Sequence, residues 1–138
     1  MASIFLAALF KEPAFDWMLR NTRNGRVLAE KVVAAVDSRS RRTGLLEHDT
    51  FDEGHALVIA PTSAIHTCFM RFPIDVAFVR RDGQIVKVRS AVKPWRLSGA
   101  LRAFAVIEFP SGTLERCDTV AGDSLELALA GRKGEGTR

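Results

Sequence analysis

The stretch that most limits what this chain can fold into runs from His66 to Val79, HTCFMRFPIDVAFV, and is followed at once by Arg80-Arg81-Asp82-Gly83 and a second run, Gln84 to Val92. Pro73 has no amide hydrogen to donate, so the first part of this stretch must break there. Beyond it, Ile74 to Val79 reads as a strand, Asp82-Gly83 as a two-residue hairpin turn and Gln84 to Val92 as the returning strand. A two-residue loop sets the register: Arg81 opposes Gln84, Val79 opposes Val86, Ala77 opposes Val88 and Asp75 opposes Ser90. One face then carries Asp75, Ala77, Val79, Val86, Val88 and Ser90. The other carries Ile74, Val76 and Phe78 with Ile85, Lys87 and Arg89.

Asp75 therefore points among valines, where an ionised carboxylate without partners costs several kcal/mol. The available partners are His66 or Arg71 across the proline bend, Ser90 opposite, and main-chain amides that the proline leaves unpaired. Asp75 either ties down the bend by accepting main-chain hydrogen bonds or lines a pocket and orients His66 or Arg71 toward a ligand.

Ahead of the proline, alternation along a strand from Ile65 to Met70 groups His66, Cys68 and Met70 on one face. Imidazole, thiolate and thioether are copper ligands, but three ligands in line on one strand make poor coordination geometry. Cys68 and Met70 are better read as core filler, and no metal or other cofactor is expected.

Residues 1 to 25 form an N-terminal arm, at most a short helix or an extended segment, ending in an Asn24-Gly25 turn. Arg26 to Val36 is a valine-rich strand. A helix from about Arg39 to Leu46 follows, capped by Asp37 or Ser38, and residues 47 to 54 form an acidic loop. His55 to Ala60 is a strand stopped by Pro61 and expected to pair with Ile65 to Met70 as a hairpin. Lys93-Pro94-Trp95-Arg96 is a loop with one large aromatic, Ser98-Gly99 a turn, and Leu101 to Phe109 a strand. Ser111-Gly112-Thr113 opens a short helix with Ser111 or Thr113 as cap. Ser124 to Leu129 is the last strand, and residues 131 to 138 are a disordered tail. The outcome is a mainly β domain over residues 26 to 130, with two short helices: a small barrel or two-sheet sandwich built from antiparallel hairpins.

His-Thr, Met-Arg-Phe-Pro and Ile-Asp-Val at this spacing resemble the signature of domain-of-unknown-function family 192. Arg42-Thr43-Gly44-Leu45-Leu46 is similar to that family's Arg-x-Gly-Leu-Met element, with Leu46 where Met is usual. Lys93-Pro94-Trp95, Ile107-Glu108-Phe109-Pro110-Ser111-Gly112-Thr113 and Ala121-Gly122-Asp123 follow in the family's order. The resemblance covers roughly residues 26 to 128 and implies a compact, mostly β fold. It implies no reaction, and family members include chains that look exported.

At 138 residues and 47% hydrophobic composition there is room for one domain. The run Ile4 to Phe10 lacks a preceding basic residue and a small-residue cleavage site, and is too short to span a bilayer, so the expectation is a cytoplasmic protein without a transmembrane segment. Two cysteines make no disulfide framework. Residues 71 to 102 hold eight basic residues against Asp75 and Asp82, although the whole chain carries only +4. Such a basic segment attracts anions, or keeps a strand edge from pairing with another chain. No GxSxG, phosphate-binding glycine loop, HExxH or paired CxxC is present.

Three functions are compatible with these residues. The best is a binding module, monomeric, for a small polar or anionic ligand such as a saccharide, with His66, Arg71, Asp75, Trp95 and Arg42 around it. Next comes an enzyme using His66 and Asp75 as acid and base. Last is nucleic-acid binding by the basic hairpin, disfavoured by its few aromatics and by the lack of any recognised motif.

Overall fold

In the computed structural model, which describes residues 5–12, 15–35, 51–68 and 70–132, the two most deeply buried strands lie side by side at the centre. They are β6 (Ile74–Val79) and β9 (Ala105–Pro110), each buried at every position. A strand buried on both faces must be apolar nearly throughout, as IDVAFV and AVIEFP are. Around them a five-stranded sheet runs β3 (Lys31–Ala35), β4 (His55–Ile59), β9, β6, β7 (Ile85–Val92). All neighbours are antiparallel except β3 and β4, which are parallel.

A three-stranded sheet of β10 (Leu125–Arg132), β1 (Phe15–Asn21) and β2 (Val27–Ala29) packs on one face. Leu19, Leu28 and Leu125 from it meet Val58, Ala77, Val79, Ile107 and Phe109, joined by Leu9 of α1 (Ala7–Lys11) and Leu114 of α2 (Thr113–Arg116). The opposite face carries a second core of Leu57, Ile74, Val76, Phe78 and Val106, covered by Ile65 and Met70. Ile65 belongs to a ribbon of β5 (Ala64–His66) and β8 (Leu97–Gly99). Phe78 and Phe109 are fully buried on opposite faces, each worth about 1.5–3 kcal/mol. The architecture is an open sandwich rather than a closed barrel: the larger sheet ends at β3 and β7, which are not joined to one another.

Several local expectations change. β4 does not form a hairpin with the segment after Pro61, because both of its edges are taken by β3 and β9; β5 pairs instead with β8. The strand expected over Arg26 to Val36 is split at Glu30, where β2 leaves one sheet and β3 enters the other. The Glu30 and Lys31 amides both donate to the Gly54 carbonyl at the crossing. Ser98-Gly99 lies in β8 rather than a turn, and β9 begins at Ala105. Within the stretch read as an arm, β1 pairs along its length with β10, which itself continues to Arg132. The expected helix over Arg39 to Leu46 and the end of the tail lie outside the described residues.

Candidate functional site

Asp75 is fully buried on the face that carries Ala77, Val79 and Phe109. Its Oδ1 accepts the Ala91 amide at 2.8 Å, and its Oδ2 accepts the Gly112 and Leu114 amides at 3.1 and 3.0 Å. The carboxylate thus does two jobs. Opposite it on β7, the register slips between Ile74 and Val76, and Ala91 sits at φ 49° with its amide turned to Asp75. On the other side it caps α2: Gly112 is the N-cap at φ 96° with no side-chain cap of its own, and neither Ser111 nor Thr113 takes that role. Thr113 bonds back to the Pro110 carbonyl at 2.7 Å. Ser90, expected opposite Asp75, is displaced by the same slip.

His66 ends β5 and pairs with Leu97 on the ribbon that covers the opposite face. The five-stranded sheet thus separates the ribbon that carries the imidazole from the face where Asp75 is buried. The chain turns after His66, the Met70 amide donating to the Thr67 carbonyl at 3.2 Å, so the alternation that would align His66, Cys68 and Met70 stops. Cys68 and Cys117 are both free thiols. Among the described residues no group of three His, Cys, Asp or Glu side chains is placed to hold a metal.

Thr67, which the sequence reading passed over, builds this region. It is buried, its hydroxyl donates to the Lys93 carbonyl at 2.7 Å and accepts the Arg96 amide at 2.8 Å, and its carbonyl accepts the Trp95 amide at 3.0 Å. The Lys93-Pro94-Trp95-Arg96 loop is thereby clamped onto the signature. Trp95 is held at φ 64°, in the left-handed region that a bulky residue rarely occupies, and the residue is 59% exposed. The sequence signal for the clamp was the threonine next to His66 in the family signature. Arg71 is exposed at the bend. Arg42 lies outside the described residues.

A second buried carboxylate, Glu108, sits mid-strand in β9 between Leu57 of β4 and Val76 of β6, on the face under the ribbon. Its signal was the same as for Asp75: one acidic residue inside an apolar run. The basic segment is not a uniform face. Lys87 donates to the Gly99 carbonyl at 2.8 Å and Arg89 reaches Ser98 Oγ at 3.5 Å, so both fasten β8 onto the sheet.

Elsewhere, Asp123 of the Ala121-Gly122-Asp123 turn is held by Arg23 Nε at 2.7 Å, Asn21 Nδ2 at 2.9 Å and the Val120 amide at 3.0 Å. The hydrogen bond from Arg23, above all, brings its carboxyl down from 3.8 to about 2. No helix among the described residues is long and apolar enough to cross a membrane.

The family model described as "Uncharacterized ACR, COG1430" matches residues 19–127. UPF0127 protein PF1050 of Pyrococcus furiosus is 35% identical over 65 residues, a match spanning 46% of this chain and 55% of that protein. A candidate transcription regulator from Sinorhizobium meliloti 1021 superposes with a TM-score of 0.68 at 23% identity, over 80% of this chain and 90% of that one. A protein of unknown function from Novosphingobium aromaticivorans gives 0.64 at 18% identity, over 80% of this chain and 82% of that one. At such identities the likeness is one of fold.

Proposed function

This chain belongs to domain-of-unknown-function family 192, and from that premise we propose that it is a binding module for a small polar or anionic ligand, a saccharide being the favoured class. The ligand lies where the signature meets the Lys93–Leu97 loop. Trp95 carries the proposal: a large exposed ring is held in a strained backbone conformation by main-chain bonding to Thr67. Strain of this kind costs about 1–3 kcal/mol and persists where the surroundings impose it, typically at ligand sites. The ring offers an amphipathic stacking surface, with His66 next along the ribbon and Arg71 at the bend as polar partners. Asp75 stands apart from this site, its carboxylate being taken up by the β7 bend at Ala91 and by the start of α2.

Isothermal titration against a panel of neutral sugars and sugar acids tests this. Saturable binding is expected, weakened at least tenfold in Trp95→Ala with an unchanged melting temperature. Silence across the panel, or equal binding by the variant, removes the proposal.

An acid–base enzyme built on His66 and Asp75 has less support, because both Asp75 oxygens already hold main-chain amides. Nucleic-acid binding draws support from the description of the Sinorhizobium neighbour and from the basic segment. A filter-binding titration should then show steep salt dependence.

A further inference from the structure

At the tip of the β6–β7 hairpin, on the far side of β6 from its proline end, lies a concave feature that the proposed ligand site does not use. Arg80, Arg81 and Asp82 form one wall and Arg102, Ala103 and Phe104 the other, around a cavity of about 440 Å³. The two walls come from segments some twenty residues apart in the chain. They are fastened together where the Phe104 amide donates to the Val79 carbonyl at 2.8 Å, and the Arg81 wall is held from behind by the Phe5 amide, which donates to the Arg81 carbonyl at 2.9 Å.

The three arginines differ in what they already do. Arg80 is engaged locally, by Gln84 Oε1 at 3.0 Å and by Asp82 at 3.6 Å. Arg81 lays its guanidinium over the Phe104 ring at 4.4 Å from the centroid, which holds the charged group against the cavity wall without neutralising it. Arg102 is exposed and has no carboxylate partner among the described residues. After Asp82 is set against Arg80, two guanidinium charges remain, one on each wall. The hairpin tip behind them is braced, with the Leu125 amide donating to the Gly83 carbonyl at 2.9 Å.

From this arrangement we propose that the cleft is an anion site for a small diphosphate-class ligand, one phosphoryl group reaching Arg81 and the other Arg102. Guanidinium groups bind phosphate oxygens through paired N–H donors, and stacking on an aromatic ring leaves the donor edge of Arg81 free to do so. The volume lies within the usual range of small-ligand sites, and the ligand charge matches the two unneutralised cations. The contact asks for no movement of the backbone, because both walls are fixed before the ligand arrives.

The probe is inorganic pyrophosphate, titrated calorimetrically into the full chain at low ionic strength. One saturable site is expected, with Arg81→Ala and Arg102→Ala each losing at least tenfold in affinity and the double variant showing no saturation. Lys31→Ala, on the exposed edge strand β3, removes the same unit of charge at a distance and should stay within twofold of wild type. Absence of saturable binding overturns the proposal, and so does a Lys31→Ala loss as large as that of Arg102→Ala, which would mean net charge alone attracts the anion. Both arginines are exposed, so a thermal melt of each variant should match wild type; if Arg81→Ala melts early, Arg102→Ala alone decides.

Discussion

The residue with most depending on it is Asp75, because three amides from two separate segments meet on one carboxylate in a site closed to water. An amide side chain of the same size offers one acceptor oxygen and turns a donor toward amides that also donate. Asp75→Asn should therefore lose about 2–4 kcal/mol of stability. Urea unfolding would show this as a lower midpoint with an unchanged slope, and a midpoint equal to wild type would mean the carboxylate is not what holds α2 and the β7 bend. Thr67 acts similarly on a smaller scale, each of its bonds fixing part of the Trp95 loop.

At the scale of the element, the β6–β7 hairpin keeps its expected register only in the middle. Ala77 opposes Val88 and Phe78 opposes Lys87, but Val79 opposes Ile85. The tip is a three-residue loop, Arg81-Asp82-Gly83, closed by the Gly83 amide on the Arg80 carbonyl and the Arg80 amide on the Gln84 carbonyl. This is a turn followed by a glycine bulge at φ 92°, in place of the two-residue turn the Asp-Gly pair implied. The extra residue exchanges two side chains between faces, so Ile85 joins the core with Ala77 and Val79 while Val86 packs on the other. Gly83 is also boxed in, since a Cβ there would lie 2.5 Å from the Leu125 carbonyl oxygen. Gly83→Ala should accordingly cost about 2–3 kcal/mol, from strain and clash together. Gly122→Ala has a similar φ of 97° but open space and should cost less. Equal shifts in melting temperature for the two variants would show that the close approach to β10 carries no energy.

Across the whole molecule, the Asp123 cluster fastens the beginning of the sandwich to its end. Asn21 ends β1, Arg23 follows it, and Asp123 precedes β10 by a short step, so contacts spanning about a hundred residues hold the three-stranded sheet in register. A carboxylate whose folded value is about 2 against 3.8 unfolded binds its proton more readily when the chain unfolds. Its contribution is thus complete above about pH 4 and is lost as pH falls through 2. With Arg23 half exposed, solvent screening leaves only part of that shift as stability. Melting temperatures of wild type and Arg23→Gln should differ at pH 6 and converge near pH 2. A constant gap would assign the difference to something other than this pair.

What could be known without coordinates rested on local pattern. The apolar runs around Ala77 and Ile107 announced strands, Pro73 and Asn24-Gly25 announced breaks, and the alternation about Ala77 placed Asp75 inward, because neighbouring residues on a strand must take opposite faces. The family could be recognised for the same reason, its signature being contiguous. Tertiary structure alone decided that the segment after Pro61 pairs with β8 rather than β4, that Asp75 caps a helix 37 residues away, and that Arg81 and Arg102 face one cavity. Each of these depends on which distant segment arrives at an open edge or an unpaired amide. Short-range periodicity carries no information about that, since many partners satisfy the same local pattern and only packing of the whole chain selects among them.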